Sequence, residues 1–319
     1  MKIYSSAPTR IGILGGGTDI PTYSDKFGGL CLNMAINIRQ HFELTDANGK
    51  DNVYPKGANP KFYEEFYKQF AWTPETCVST FDGILESGLG SSASAAVALV
   101  GALSRYNKMN LTREQIAEKA WGIEVNKIGL YGGRQDQYAS VFGGCNLFEF
   151  GARNITKNGW MSTSNVKVTR LDGFIEKILP SLTLFYIGNN RKSAKIQEGF
   201  KNLSFSQEER LHNIKDSVLE GSKIITTGDI EKFGKFMDRA WQMKKISNKG
   251  VSNEEIDEIY SKALKFGAFG GKIMGAGGGG CMLLVVDPSK REKFIQDMGL
   301  EWIDFSIDYN GLSVRQSLR

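Results

Sequence analysis

Apolar and polar positions divide the chain into short alternating stretches and longer helical ones. Lys2-Ile3-Tyr4 and Arg10-Ile11-Gly12-Ile13-Leu14 alternate like strands, and Gly15-Gly16-Gly17-Thr18-Asp19 then breaks the pattern. Cys31 to Ile38 and His41 to Thr45 read as a pair of strands. The segment from Asn48 to Glu75 carries turn residues and one short aromatic helix, Lys61 to Phe70, and reads as an insertion. A small apolar run, Ala95 to Val100, follows Ser92 and predicts a helix to about Arg105. Thr112-Arg113-Glu114-Gln115 is a capping box that opens another helix, to about Lys127. Cys145 to Phe150 reads as a strand.

The second half has a different texture. Leu182 to Ile187 is a strand. Ser206-Gln207-Glu208-Glu209 and Ser252-Asn253-Glu254-Glu255 each predict a helix start, and Ile230 to Lys245 is a helical stretch between them. Gly275 to Gly280 then leads into an apolar strand, Cys281 to Val286, stopped by Asp287-Pro288. The change predicts two α+β domains, residues 1–170 and 171–319.

Composition narrows the function. With 41% hydrophobic and 24% charged residues the chain is an ordinary globular protein. Its net charge of +5 comes without a Lys/Arg block or a basic stripe, which argues against nucleic acid and is compatible with anionic substrates. Cys31, Cys77, Cys145 and Cys281 form no C-x-x-C pair, so reduced thiols of a cytoplasmic protein are expected rather than zinc or disulfides. Met1 to Ser6 opens no apolar secretory segment. The longest apolar run, near Ala95 to Leu103, is short of the roughly 20 residues that span a bilayer, so no membrane partner is expected. The two histidines, His41 and His212, stand away from every glycine cluster, which leaves a carboxylate as the expected general base.

The candidate chemistry begins at Gly88-Leu89-Gly90-Ser91-Ser92-Ala93-Ser94. Two glycines permit a tight bend, and a helix start presents unpaired N–H groups and a positive dipole end, which suits phosphate. A Rossmann reading fails, because a second helix rather than a parallel strand follows this one, and a strand rather than a helix follows Gly275-Ala276-Gly277-Gly278-Gly279-Gly280. A Walker A loop fails because Gly271-Lys272 is followed by Ile273. The His-Arg-Asp and Asp-Phe-Gly signatures of protein kinases do not occur. Ser91 or Ser92 could equally be a plain helix cap. Ala117, Trp121, Glu124 and Ile128 share one helical stripe, where a carboxylate needs a cation or a donor, although solvated stripe-edge glutamates are common. Asp136 lies in Gly132-Gly133-Arg134-Gln135-Asp136-Gln137-Tyr138, facing a cleft or serving a helix dipole.

Three clusters in order resemble the motifs of the GHMP small-molecule kinases, which include galactokinase, homoserine kinase and mevalonate kinase. They are Pro8 to Asp19, Gly88 to Ala93, and Lys272 to Cys281, and together they span nearly the whole chain. Gly-Gly-Gly-Thr-Asp replaces the Gly-Glu-His-Thr-Asp usual in galactokinases, and Asp82 to Ser87 replaces a proline-containing lead before the second motif. With Tyr23, Gly28-Gly29, Leu32-Asn33 and Gly132 to Tyr138, the chain looks most like the D-glycero-D-manno-heptose 7-phosphate kinases and, next, the L-fucokinases.

The resemblance implies an N-terminal domain like the second domain of ribosomal protein S5, a ferredoxin-like C-terminal domain, and ATP with Mg²⁺ between them. By it, residues Gly88 to Ser94 and Gly275, Ala276, Gly277 and Gly278 hold the nucleotide, and Ser92 and Glu124 hold Mg²⁺. Asp136 is implied as the base, with Arg10 holding it ionised. Gly17, Thr18 and Asp19 are implied to meet the sugar, and Arg191 and Ser193, with Lys192 and Lys195 nearby, a distal phosphate. The implied reaction is phosphorylation of O1 of D-glycero-D-manno-heptose 7-phosphate for surface polysaccharide. A kinase of an unphosphorylated sugar, a ligand sensor of the same fold without turnover, and association of the chain with itself remain open alternatives.

Overall fold

The computed structural model describes residues 1–45, 54–55, 58–155, 161–189, 203–247 and 250–317. Its first sheet is antiparallel and contains β1 (Lys2–Leu14), β2 (Gly29–Thr45), β3 (Thr76–Phe81), β4 (Cys145–Ile155), β5 (Met161–Arg170) and β10 (Ser313–Ser317). The order is β10-β1-β2-β4-β5, with β3 on the far end of β2. A second antiparallel sheet has the order β7-β8-β6-β9, from β6 (Leu182–Asn189), β7 (Gly270–Ile273), β8 (Gly279–Val285) and β9 (Glu301–Ile303). With helices between β6 and β7 and between β8 and β9, this is the βαββαβ order of a ferredoxin-like half.

Ten α-helices are described: α1 (Pro21–Phe27), α2 (Pro60–Gln69), α3 (Ser91–Tyr106), α4 (Arg113–Gly122), α5 (Gln135–Phe142), α6 (Asp172–Ile178), α7 (Phe205–Thr227), α8 (Ile230–Ser247), α9 (Glu254–Lys265) and α10 (Arg291–Met298). Two expected strands, Cys31 to Ile38 and His41 to Thr45, are one strand, β2. Arg39 and Gln40 between them contain no turn former. Their side chains instead tie β2 sideways, Arg39 to Asp308 and Gln40 to the Thr80 carbonyl at 3.0 Å. Pro8, which has no N–H for a ladder, sits where the β1–β2 register shifts. Residues 171–319 are not wholly a second domain, because β10 returns to pair with β1 from Lys2↔Ser317 to Ser6↔Ser313.

Period-2 alternation explains the continuous apolar run of β8. Cys281, Leu283 and Val285 face the core between the sheets, while Met282 and Leu284 face α8, α9 and α10. On the other side, α2 to α5 cover the first sheet. Small residues let α3 lie close on β1: the Ser5 hydroxyl donates to the Ala98 carbonyl at 2.7 Å, and Ser94 to the Ala7 carbonyl at 2.6 Å. The expected capping box forms at Thr112 and Gln115, with bonds of 3.2 and 2.9 Å. The expected box at Ser206 lies two residues earlier, where Gln207 accepts from the Ser204 N–H at 2.8 Å. No helix among the described residues is long and apolar enough to cross a membrane, and all four cysteines are buried free thiols.

Candidate active site

Two left-handed glycines shape the loop before α3: Gly88 has φ 85° and Gly90 φ 78°. Only glycine adopts these angles cheaply. Gly90 is itself the N-cap of α3, so neither Ser91 nor Ser92 caps the helix, and among the described residues no side-chain cap bond is made. A helix start left in this way is an anion site. Ser92 is free to point elsewhere, and its hydroxyl donates to Glu124 Oε1 at 2.5 Å.

Glu124 reaches Ser92 because α4 widens into a π-helix, Ile123–Ile128, which is itself a common mark of function. The expected stripe of Ala117, Trp121, Glu124 and Ile128 assumed an α-helix throughout, and the wider turn re-aims Glu124. Its carboxylate is 4% exposed, and Gln137 Nε2 donates to Oε2 at 2.8 Å. Burial pushes its pKa up to about 7, against the pull of Ser92 and Gln137. Neither neighbour carries a positive charge, so this buried carboxylate has room in its chemistry for a cation.

Asp136 lies in the first turn of α5, and its partner is Arg10 of β1. Nε and Nη2 of Arg10 donate to Oδ1 and Oδ2 of Asp136 at 2.8 and 2.7 Å, a bidentate pair. Nη1 donates to the Gly88 carbonyl at 2.7 Å, and the Arg10 N–H to the Leu89 carbonyl at 2.9 Å. One guanidinium therefore joins the carboxylate to the glycine loop. A Cβ on Gly90 would stand 3.2 Å from Asp136 Oδ2, so the helix start and the carboxylate are in close approach.

Asp19 is 1% exposed. Its Oδ1 accepts from the Gly17 N–H and Gln135 Nε2, and Oδ2 from the Gln135 N–H, at 3.0–3.1 Å. Burial raises its pKa. Gly133 has to be glycine here, because a Cβ would lie 1.9 Å from Asp19 Oδ2.

β8 meets the same loop at its third residue, and the glycines before it are held by α8 and the segment that follows α8. The Cys281 N–H donates to the Ser87 carbonyl at 2.8 Å, and the Gly278 N–H to the Val251 carbonyl at 2.9 Å. Lys244 holds the Gly275 carbonyl at 2.7 Å.

Most of the expected site residues thus converge, with three departures. The Thr18 hydroxyl is buried and bonds the Gly15 and Leu30 carbonyls, so it secures the turn rather than facing a cleft. Ser94 is wholly buried and turned onto Ala7, away from the loop's open side. Arg191 and Ser193, with Lys192 and Lys195, lie outside the described residues.

Sequence reasoning missed the supports. Gln135 and Gln137 each hold one of the site's carboxylates. Arg134, wholly buried, donates to Glu118 Oε1 at 3.1 Å and to the Gly151 carbonyl at 3.1 Å, and Tyr138 donates to the same Glu118 oxygen at 2.8 Å. Lys272 of β7 donates to the Gly12 and Ile13 carbonyls at 2.9 and 2.8 Å, which clamps the second sheet to the strand that carries Arg10. The signal was a run of polar residues, Arg134 to Gln137, at the start of a short helix, where each finds a different partner.

Residues 65–144 match the N-terminal domain of the GHMP kinases, and residues 219–304 match their C-terminal domain. The chain is 31% identical to the D-glycero-alpha-D-manno-heptose 7-phosphate kinase of Campylobacter jejuni, over 97% of this chain and 98% of that one. It is 26% identical to a galactokinase of Pyrococcus furiosus over 91% of each chain. A crystal structure of a D-glycero-D-manno-heptose 1-phosphate kinase from Bacteroides thetaiotaomicron superimposes with a TM-score of 0.73 at 24% identity, covering 99% of this chain and 100% of that one. Domain matches in both halves and a relative aligned from end to end place this chain in the GHMP kinase family.

Proposed function

We propose that the protein transfers the γ-phosphoryl group of ATP to O1 of D-glycero-D-manno-heptose 7-phosphate, giving the 1,7-bisphosphate for surface polysaccharide synthesis in the cytoplasm. The observation that carries the reading is the bidentate Arg10–Asp136 pair set against Gly90 at the start of α3. It puts a carboxylate beside a phosphate cradle, which is what an in-line transfer to a hydroxyl requires. The choice of acceptor is supported by the likeness to the heptose 7-phosphate kinase along the whole chain.

In this reading the amides of Leu89 to Ala93 receive the β- and γ-phosphates, and residues Gly275 to Gly278 close over them. Asp136 takes the proton of the attacking hydroxyl. Arg10 grips both oxygens of Asp136 and fixes their distance from the loop. Gly17 and Asp19 orient the sugar, and Thr18 supports their turn. The distal phosphate falls to Arg191 and Ser193, on the resemblance alone.

Ser92 Oγ and Glu124 Oε1 are hard oxygen donors 2.5 Å apart at the loop, and Glu124 is buried without a countercharge among the described residues, so the pair fits Mg²⁺. When bound there, Mg²⁺ supplies charge neutralisation on the transferring phosphates.

An ATP-coupled assay over a panel of sugars tests the acceptor. The heptose 7-phosphate is expected to be turned over, with neutral heptose and L-fucose poor. Faster turnover of L-fucose would replace this reading with the kinase of a neutral sugar, and binding without turnover would replace it with the sensor.

A further inference from the structure

Three consecutive residues open α5, and each engages a different charged group of the site. Gln135 Nε2 donates to Asp19 Oδ1 at 3.0 Å, Asp136 accepts both bonds from Arg10, and Gln137 Nε2 donates to Glu124 Oε2 at 2.8 Å. Successive side chains of a helix point about 100° apart, so one turn can serve three partners on three sides of it. The acceptor turn, the base and the buried Glu124 carboxylate are thus spaced from one another by a single helical turn.

Gln137 and Glu124 are buried together, at 5% and 4% exposure. Glu124 is held by Ser92 on its Oε1 and by Gln137 on its Oε2, and these are its hydrogen-bond partners among the described residues. Its Oε1 and Ser92 Oγ are the two oxygens offered to a cation, while its Oε2 is left to Gln137. The π-helix sets where the Glu124 side chain starts, not where its carboxylate ends. Without the Gln137 donor, Oε2 would be a buried charged oxygen with nothing bonded to it, which is costly, and nothing would aim the carboxylate at that end. The other end of the Gln137 amide, its own Oε1, is buried and has no hydrogen-bond partner among the described residues. An unpaired buried acceptor calls for a donor, and the water molecules that Mg²⁺ keeps when bound are donors.

We propose that Gln137 is a positioning residue of the cation site, which acts through Glu124 and ties the cation to the helical turn that carries Asp136. Gln137 follows Asp136 directly, so any shift of α5 that moves the base moves the grip on Glu124 with it. The inference rests on the proposed Mg²⁺ reading of Ser92 and Glu124, and it adds what keeps that site in step with the base.

The test is a double-mutant cycle of Gln137→Met and Glu124→Gln. Its readout is the Mg²⁺ concentration at the midpoint of the rise in melting temperature, at a fixed saturating ADP concentration, which needs no turnover. Gln137→Met keeps the length of the side chain and removes both ends of the amide. It is expected to raise the Mg²⁺ midpoint about tenfold and to leave the KM for the sugar phosphate within about twofold of the wild type. In the Glu124→Gln background, which has no carboxylate to orient, the same substitution is expected to move the midpoint less than about twofold. Gln135→Met, which cuts the neighbouring grip on Asp19, is expected to raise the sugar KM instead and to leave the Mg²⁺ midpoint as in the wild type. Gln137→Asn, which keeps the amide but draws it one methylene group back, decides the matter if Gln137→Met does not fold. A Gln137 that serves only stability lowers the melting temperature without moving the Mg²⁺ midpoint, and that result overturns the inference. An equal shift with and without the Glu124 carboxylate, or an equal shift in Gln135→Met, overturns it too. If Glu124→Gln alone leaves the midpoint unchanged, the cation reading itself fails and takes the inference with it, so the two failures are told apart.

Discussion

Asp136 and Glu124 are carboxylates on either side of the same helix start, and they are treated in opposite ways. Asp136 is half-buried and gripped at both oxygens by a guanidinium. Glu124 is buried against a serine and a glutamine, neither of them charged, and its pKa rises to about 7. A carboxylate that is to accept a proton needs a fixed orientation, and the two bonds from Arg10 provide it. A carboxylate that is to receive a cation needs its place left open, and the surroundings of Glu124 do that. This contrast is the structural support for the two roles proposed above.

The largest effect should come from Asp136→Asn, which keeps the shape but removes the proton acceptor. We expect turnover to fall about a hundred- to ten-thousandfold, while nucleotide binding, measured by calorimetry, survives. Turnover close to the wild type would end the base assignment. Next comes Glu124→Gln, expected to weaken Mg²⁺ dependence at least about tenfold, read from the metal concentration at half-maximal rate. If Asp136→Asn shifted that concentration and Glu124→Gln did not, the two roles would be exchanged. A smaller effect is expected from Gly90→Ala. Its φ of 78° costs a side chain about 1–2 kcal/mol, and the methyl group would press on Asp136 but not on Glu124. Turnover should fall about tenfold with Mg²⁺ dependence unchanged.

Much of this site is legible in the sequence, and the reason is local. Gly88 and Gly90 announce positive φ angles, and the apolar run after them announces the helix that they begin. The pairing of Arg10 with Asp136 came only through the resemblance, because the two residues meet across the fold. The path of Glu124 was readable up to Gly122 and then lost, because a π turn leaves no mark in a 3.6-residue pattern. Gln135, Gln137, Glu118 and Arg134 were missed as supports for the same reason as the Arg10 pairing: their partners are distant in sequence. In the fold, β10 escaped notice because Ser313–Ser317 is a half-exposed edge strand with no apolar alternation, and its place beside β1 is set by the shape of the whole chain.

The smallest expected effect separates the two carboxylates by pH alone. The ordinary value for Glu124 is 4.5, and in the folded protein it is about 7. Between those values the folded protein holds a proton on Glu124 that the unfolded chain has released. The stability contributed by this group is therefore complete below pH 4.5 and is lost as pH rises through about 7. The full span is on the order of 3 kcal/mol, and a melting series from pH 5 to 7.5 in the absence of metal should show part of it as a downward drift of a few degrees. The Glu124→Gln variant has no proton to lose there and should drift less than the wild type, whereas Asp136→Asn, which removes only the smallest of the causes that raise Glu124, should keep most of the wild-type drift. Mg²⁺ with nucleotide should flatten the wild-type drift, because a cation beside Glu124 favours its charged form and so takes over the place of the proton. Equal drifts in the wild type and Glu124→Gln would mean that the buried carboxylate is already compensated within the protein, and the contrast with Asp136 would disappear.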